Sequence, residues 1–297
     1  MPHILTLVAP PGGLSHHMLA PVLAALAAGG ADCRAPDWLS EGEALDIPFS
    51  SMVPAAAQSA VQAVLAGQRV DAIAQAAATR RKALLLADMD STIVTTETLD
   101  ELAAEAGLKE RIAAITARAM NGELDFKSAL RERVAMLKGL PEAALQRTWE
   151  TTELMPGARA LVATMRAAGA HAALVSGGFT FFTGRVAALV GFHEHHANQL
   201  ILADGALAGT VAEPILDRDS KLATLTQLAQ SLGLPMERTL TVGDGANDLP
   251  MLQAAGLGIA FRAKPTVQAQ AQARVNHGDL TALLFAQGFR RAEFATV

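Results

Sequence analysis

Apolar residues in this chain cluster in two ways, as short runs closed by turn-forming residues and as longer stretches of helix-favouring composition. The short runs at 3–8, 44–49, 84–88, 170–175, 239–242 and 258–261 predict strands. Those after residue 80 lack alternation with polar residues, which predicts burial on both faces of a parallel sheet. Residues 14–28, 55–66 and 70–79 read as helices, giving a strand–helix–strand–helix order in which Trp38 lies in an irregular connection. Helices at 158–168, at 179–190 and from about 220 separate the later strands, and Asp204-Gly205 between 199–202 and 206–211 predicts a hairpin. Between 95 and 153 the pattern is helical throughout, over 96–106, 110–120, 125–138 and 141–151. Stops fall at Gly107, Asn121-Gly122 and Gly139, and Pro141 stands at a first turn.

The fold class that follows is α/β, a Rossmann-like three-layer parallel sheet at 81–297 with a helical cap inserted at about 95–153. A small α+β unit at 1–80 precedes it, joined by the charged Arg80-Arg81-Lys82 linker.

Composition narrows the function classes. Hydrophobic residues make up 51% and charged ones 18% of 297 positions, a globular balance that disfavours long disorder. The formal charge of −5, with no basic run, argues against a nucleic-acid partner. Interrupted alanine-rich runs and the lack of a basic, then apolar, N-terminal leader argue against membrane insertion and secretion. A cytoplasmic setting is the expectation, in which the single Cys33 is a small apolar residue.

Chemistry gathers at the ends of the predicted strands. Leu84-Leu85-Leu86-Ala87 delivers Asp88 and Asp90, separated by Met89, into the turn Ser91-Thr92. Two carboxylates so close raise each other's pKa unless a cation neutralises them, so a metal is expected. Ser176-Gly177-Gly178 follows another strand, Lys221 opens a helix, and Gly243-Asp244-Gly245-Ala246-Asn247-Asp248 follows a third strand. In a parallel sheet these segments meet at one edge. Carboxylates suit a hard cation such as Mg²⁺, while lysine and a serine beside glycine amides suit phosphoryl oxygens. No G-x-x-x-x-G-K-[ST] sequence is present, which excludes a P-loop. One carboxylate of such a pair can attack phosphorus while the other moves protons. Asp248 also reads as a charge favoured at a helix N-terminus, and Ser176 as a helix cap. His171, His193, His195 and His196 cluster near a predicted loop without an assigned role.

These motifs, in this order, resemble the four motifs of the haloacid dehalogenase superfamily of phosphatases. Together with Glu123-Leu124-Asp125-Phe126 and Leu130-Arg131-Glu132-Arg133-Val134, they are similar to its branch that hydrolyses O-phospho-L-serine in serine biosynthesis, from about residue 82 onward. The resemblance implies an Mg²⁺-dependent phosphatase with Asp88 as nucleophile and Asp90 as general acid and base. Ser176, the Gly177 amide, Lys221 and Asn247 would bind the phosphoryl group. Asp88, Asp244 and the main-chain carbonyl of Asp90 would form the metal site. It further implies that Glu97 and Arg133 meet the substrate's ammonium and carboxylate, roles suited to an acceptor-only and a forked donor side chain. Phe126 and Met120 would line the cap. Residues 1–80 match only loosely. Their order permits a degenerate amino-acid-binding ACT-like unit, with homodimerisation or packing against the catalytic unit as the preferred uses.

Overall fold

The computed structural model describes residues 1–120 and 123–296, without the side chains of Ala117, Ala119 and Met120. The expected helix stop at Asn121-Gly122 and the Met120 side chain therefore lie outside the described residues.

Two sheets organise the chain. The first is antiparallel and runs, in spatial order, Asp32–Cys33, Ala44–Ser50, His3–Val8 and Asp71–Ala76, with Asp37–Ser40 also paired to Ala44–Ser50. Helices Leu19–Ala28 and Pro54–Val64 cover one face, packing Val22, Leu26, Ala57 and Val61 on Leu5, Leu7, Leu45 and Ile47. With the short strand Asp37–Ser40 set aside, the order is strand–helix–strand–strand–helix–strand, the split βαβ arrangement of ferredoxin-like units. This corrects two expectations. Residues 70–79 are not a helix, because 71–76 pair along the whole of His3–Val8, a long-range pairing that overrides the helix propensity of their alanines. Trp38 lies in a short edge strand rather than an irregular connection.

The second sheet is parallel and ordered Ala273–Val275, Leu257–Phe261, Thr239–Gly243, Leu84–Asp88, His171–Phe179, Glu194–Asn198. Leu84–Asp88 alternates between two cores. Leu85 and Ala87 face the large cluster with Leu161, Val186 and Leu283, whereas Leu84 and Leu86 face Leu225, Ala229 and Met251. Both faces are dry, which is why the strand reads as one continuous apolar run. Glu194–Asn198 and Ala273–Val275 extend the sheet beyond the strands expected. The first carries four polar residues of five and no apolar alternation to announce it, and the second is a three-residue edge. From Leu84–Asp88 the chain winds outward through His171–Phe179, then returns to Thr239–Gly243 and winds the other way. The switch point thus lies between Leu84–Asp88 and Thr239–Gly243, where ligand crevices open at carboxyl ends.

Helices Thr98–Glu105, Lys109–Met120, Phe126–Met136 and Ala143–Glu150 form the insertion. A short antiparallel stem closes its base: Val94 bridges Leu154, Thr95 N donates to Glu153 O, and Met155 N donates to Ile93 O. The predicted hairpin pairs Leu200–Ala203 with Ala206–Val211, and both Asp204 and Gly205 have positive φ, as a type I′ turn requires. It leans on the insertion, with Gly139 N donating to Leu207 O and Glu142 N to Gly205 O. Among the described residues no helix is long and apolar enough to cross a membrane.

Candidate active site

Asp88 ends its strand 5% exposed, at the switch point. Lys221, 2% exposed in helix Arg218–Ser231, reaches it: Nζ donates to Asp88 Oδ1 at 2.5 Å and to Asp248 Oδ1 at 2.6 Å. An Asp217 capping box starts this helix, with the Asp217 carboxylate accepting from the Asp219 and Ser220 amides. Burial alone would lower the Lys221 pKa, but Asp248 and Asp88 outweigh it and hold the ammonium charged. In turn, burial and the Asp248 charge push the Asp88 carboxyl well above the usual range, against the pull of Lys221.

Asp90 faces differently. Its Oδ1 accepts from the Thr98 amide at 2.8 Å and the Thr98 hydroxyl at 2.7 Å, and its Oδ2 accepts from Ser176 Oγ at 3.0 Å. The Gly178 amide donates to Ser176 Oγ at 2.8 Å. Burial raises the Asp90 pKa while these donors oppose the rise. Ser91 between the aspartates and the insertion adopts a left-handed φ of 54°, and its hydroxyl donates to Glu97 Oε1 at 2.6 Å.

The third strand end brings Asp244 and Asp248. A carboxylate oxygen from each of Asp88, Asp244 and Asp248 lies within 4.8 Å of the other two, an all-oxygen donor set that fits a hard metal ion. Burial, then the Asp248 charge, raises Asp244 to about 6, and Thr92 Oγ1 donates to its Oδ1 at 3.3 Å. Gly243 makes this packing possible, since a Cβ there would stand 2.4 Å from Asp248 Cγ. Asn247 lies half-buried in the same turn, with its Oδ1 folded against Gly245.

From the insertion, Phe126 stands over Gly177, where an added Cβ would meet its ring at 3.2 Å. Arg133, half-buried and seven residues on from Phe126, so near the same face of that helix, donates through Nε to Ala129 O and through Nη1 to Thr116 Oγ1. Burial lowers its pKa, opposed by the nearby carboxylates of Asp100 and Glu97. The Glu97 carboxyl is pushed up to about 7, first by desolvation and then by the Asp90 charge.

Among the described residues, every candidate from the sequence thus gathers around one crevice except the histidines, while the Met120 side chain lies outside the described residues. Those lie at and beside the edge strand Glu194–Asn198: His171 Nε2, from the neighbouring strand, meets Glu194 Oε1 at 2.5 Å, His196 Nε2 meets Glu194 Oε2 at 2.9 Å, and His193 stacks on His171. Two further residues carry more than their sequence context signals. Asp248 is the N-cap of Leu249–Ala254 yet caps nothing with its side chain; it spends it on Lys221 and the Gly245 amide, and its i, i+4 spacing from Asp244 was the available signal. Thr98 holds Asp90 through two donors, and nothing in the sequence marks it.

The haloacid dehalogenase-like hydrolase family model matches residues 85–253. A phosphoserine phosphatase of Mycobacterium tuberculosis is 44% identical over 80% of this chain and 58% of its own length. One from Streptococcus thermophilus is 45% identical over 67% of this chain and 93% of its own length. The chain spans 57 to 64% of the length of the first three curated relatives it matches. Among solved structures, a haloacid dehalogenase family hydrolase from Salmonella enterica serovar Typhi aligns with TM-score 0.85 at 29% identity, covering 96% of this chain and 98% of that one. With the motif residues meeting at one switch point and the family model spanning more than half of the chain, this protein belongs to the haloacid dehalogenase-like hydrolases.

Proposed function

We propose that the protein hydrolyses O-phospho-L-serine to L-serine and inorganic phosphate through an aspartyl-phosphate on Asp88. The observation that carries this reading is the inequivalence of the two aspartates. Asp88 sits on a buried ammonium beside two further carboxylates, while Asp90 is turned toward a serine hydroxyl and a helix start. One is placed to attack phosphorus, and the other to exchange protons.

Asp88 attacks phosphorus as the P–O bond to the serine hydroxyl breaks, and Asp90 gives its proton to the leaving oxygen. Asp90 then takes a proton from water, which attacks the acyl phosphate and returns Asp88 as a carboxylate. Ser176 Oγ, the Gly177 amide and Lys221 Nζ bind the phosphoryl oxygens, with Asn247 alongside. Asp88, Asp244 and the Asp90 carbonyl would hold Mg²⁺, with Asp248 beside them. The bound ion supplies positive charge to the phosphoryl oxygens.

Substrate choice rests on Glu97 and Arg133, whose opposite charges on the insertion suit an ammonium and a carboxylate, and on the activity named for the relatives. We assign residues 1–80, as a unit distinct from 81–297, to packing against the catalytic unit, a reading supported by the Arg80 and Asp71 contacts to residues 276–286. A phosphate-release screen of purified protein with Mg²⁺ over phosphorylated amino acids and sugars tests the reading. Phosphoserine is expected to give the highest kcat/KM, and efficient release from another phosphomonoester with none from phosphoserine overturns it.

A further inference from the structure

The insertion is tied to the rest of the molecule in two unlike ways. At its rear, backbone hydrogen bonds join Gly139, Leu140 and Glu142 to the hairpin, and the stem at 94–95 and 153–154 fixes its base. At the front, beside the contact of Phe126 with Gly177, two side-chain ion pairs cross. Lys127 Nζ meets Asp217 Oδ2 at 3.1 Å, and Arg131 Nη2 meets Glu213 Oε1 at 2.6 Å. Lys127 and Arg131 stand one helical turn apart on Phe126–Met136, so a single face of that helix makes both contacts. Their partners lie on the segment leading into Arg218–Ser231, and Asp217 is the cap of that helix.

The position of these pairs is telling. Lys127 follows Phe126, whose ring stands over Gly177, and the same helix carries Arg133. Asp217 begins the helix that delivers Lys221 to Asp88. The two pairs therefore connect the wall over the phosphate cradle to the element carrying the phosphate-binding lysine. Their chemistry suits something that opens and recloses, because exposed pairs are individually weak and screened by salt. The side chains of Lys127, Arg131 and Glu213 are 45%, 51% and 58% exposed, and that of Asp217, held by its helix cap, is 20% exposed.

We propose that Lys127–Asp217 and Arg131–Glu213 form an electrostatic latch that holds helix Phe126–Met136 closed over the crevice, and so set apparent substrate affinity. The four are positioning residues. The inference rests on the reading of this crevice as a phosphomonoester-hydrolysing site, and not on phosphoserine being the ester. Loss of the latch lowers the population of the closed, binding-competent state, and apparent affinity falls by that fraction.

The test is steady-state kinetics on whichever phosphomonoester the wild-type enzyme turns over best, so that failure of the phosphoserine reading and failure of the latch give separate results. For Lys127→Gln with Arg131→Gln at low salt, KM is expected to rise roughly 3- to 10-fold, with kcat within about twofold of wild type. Wild-type KM should climb between about 20 and 500 mM NaCl while the variant's stays flat. Arg131→Glu alone should raise KM, and adding Glu213→Arg should bring it back to within about twofold, with melting temperatures within about 3 °C throughout. A double-variant KM within about twofold of wild type, a fall in kcat at constant KM, or failure of the exchanged pair to recover overturns the proposal.

Discussion

Lys221 is the residue on which the electrostatics of the crevice turn. Three carboxylates within 4.8 Å of one another would not all stay ionised in a buried site, and one ammonium bonded to two of them offsets part of that repulsion. Asp248 is thus more than a helix-end charge, since its removal leaves Lys221 held from one side. Asp248→Asn is expected to lower kcat/KM roughly 10- to 100-fold, the worth of one hydrogen bond to a charged group. A loss under about threefold would show that Asp88 alone positions the lysine. Glu97 gives a pH signature. Its carboxyl is raised from 4.5 to about 7, so below neutrality it is protonated and cannot pair with an ammonium. Ammonium binding favours the ionised form, so KM for phosphoserine should fall as pH rises through about 7 and level off above it. Glu97→Gln should raise KM and flatten that dependence; an unchanged profile would place the titration elsewhere. Asp88, Asp90 and Ser176 could be singled out from sequence because they follow apolar strands or adjoin glycines, whereas Lys221, at a helix start, stands out only through the ordered motif set. Thr98 could not, because a threonine at a helix start looks the same whether or not a carboxylate sits above it.

At the level of elements, what the sequence revealed depended on whether burial alone explains the local pattern. Leu84–Asp88 and Thr239–Gly243 are central strands with both faces dry, so their apolar runs announce them. Asp71–Ala76 and Glu194–Asn198 are strands because of what lies beside them, His3–Val8 and His171–Phe179, and their own residues speak for a helix and a loop. The helical insertion was readable from its glycine stops, yet its closeness to Gly177 belongs to tertiary structure. The end of His171–Phe179 shows how tightly an element can determine chemistry. Its strand geometry continues through Ser176-Gly177-Gly178, and a Cβ on Gly178 would stand 3.0 Å from Ser176 Oγ and 3.1 Å from Asp90 Oδ2. Gly178→Ala must therefore move the serine or the proton-transferring carboxylate by a few tenths of an ångström. About a tenfold loss of kcat is expected, with KM and melting temperature little changed. A full-rate variant would mean that Asp90 tolerates displacement and the proton transfer is not geometrically demanding.

Across the whole molecule, the antiparallel sheet is docked rather than tethered. Its second face shares one apolar cluster with helix Ala282–Ala286, where Val8, Ala44 and Ile73 join Leu283 and Phe285. Asp71 accepts three successive amides, from Asn276, His277 and Gly278, at 2.8 to 3.0 Å. Arg80, which in sequence looks like part of a solvated linker, is the hub of the junction. It donates to Asp46 through two nitrogens, to Thr6 Oγ1, and to the Phe285 and Ala286 carbonyls. The Arg80 and Asp46 side chains are only 15% and 7% exposed, so removing the guanidinium strands a buried carboxylate and two carbonyls. Arg80→Ala should cost about 3 to 5 kcal/mol and lower the melting temperature by roughly 6 to 15 °C. Arg81→Ala, whose partner Glu293 and own side chain are about half exposed, should change it by at most about 2 °C. Because the shared cluster crosses the junction, the wild-type chain should unfold in one calorimetric transition. A separate low-temperature transition, moved by Arg80→Ala alone, would instead mean that the antiparallel sheet melts as its own unit and that the apolar cluster does not couple it to the catalytic sheet.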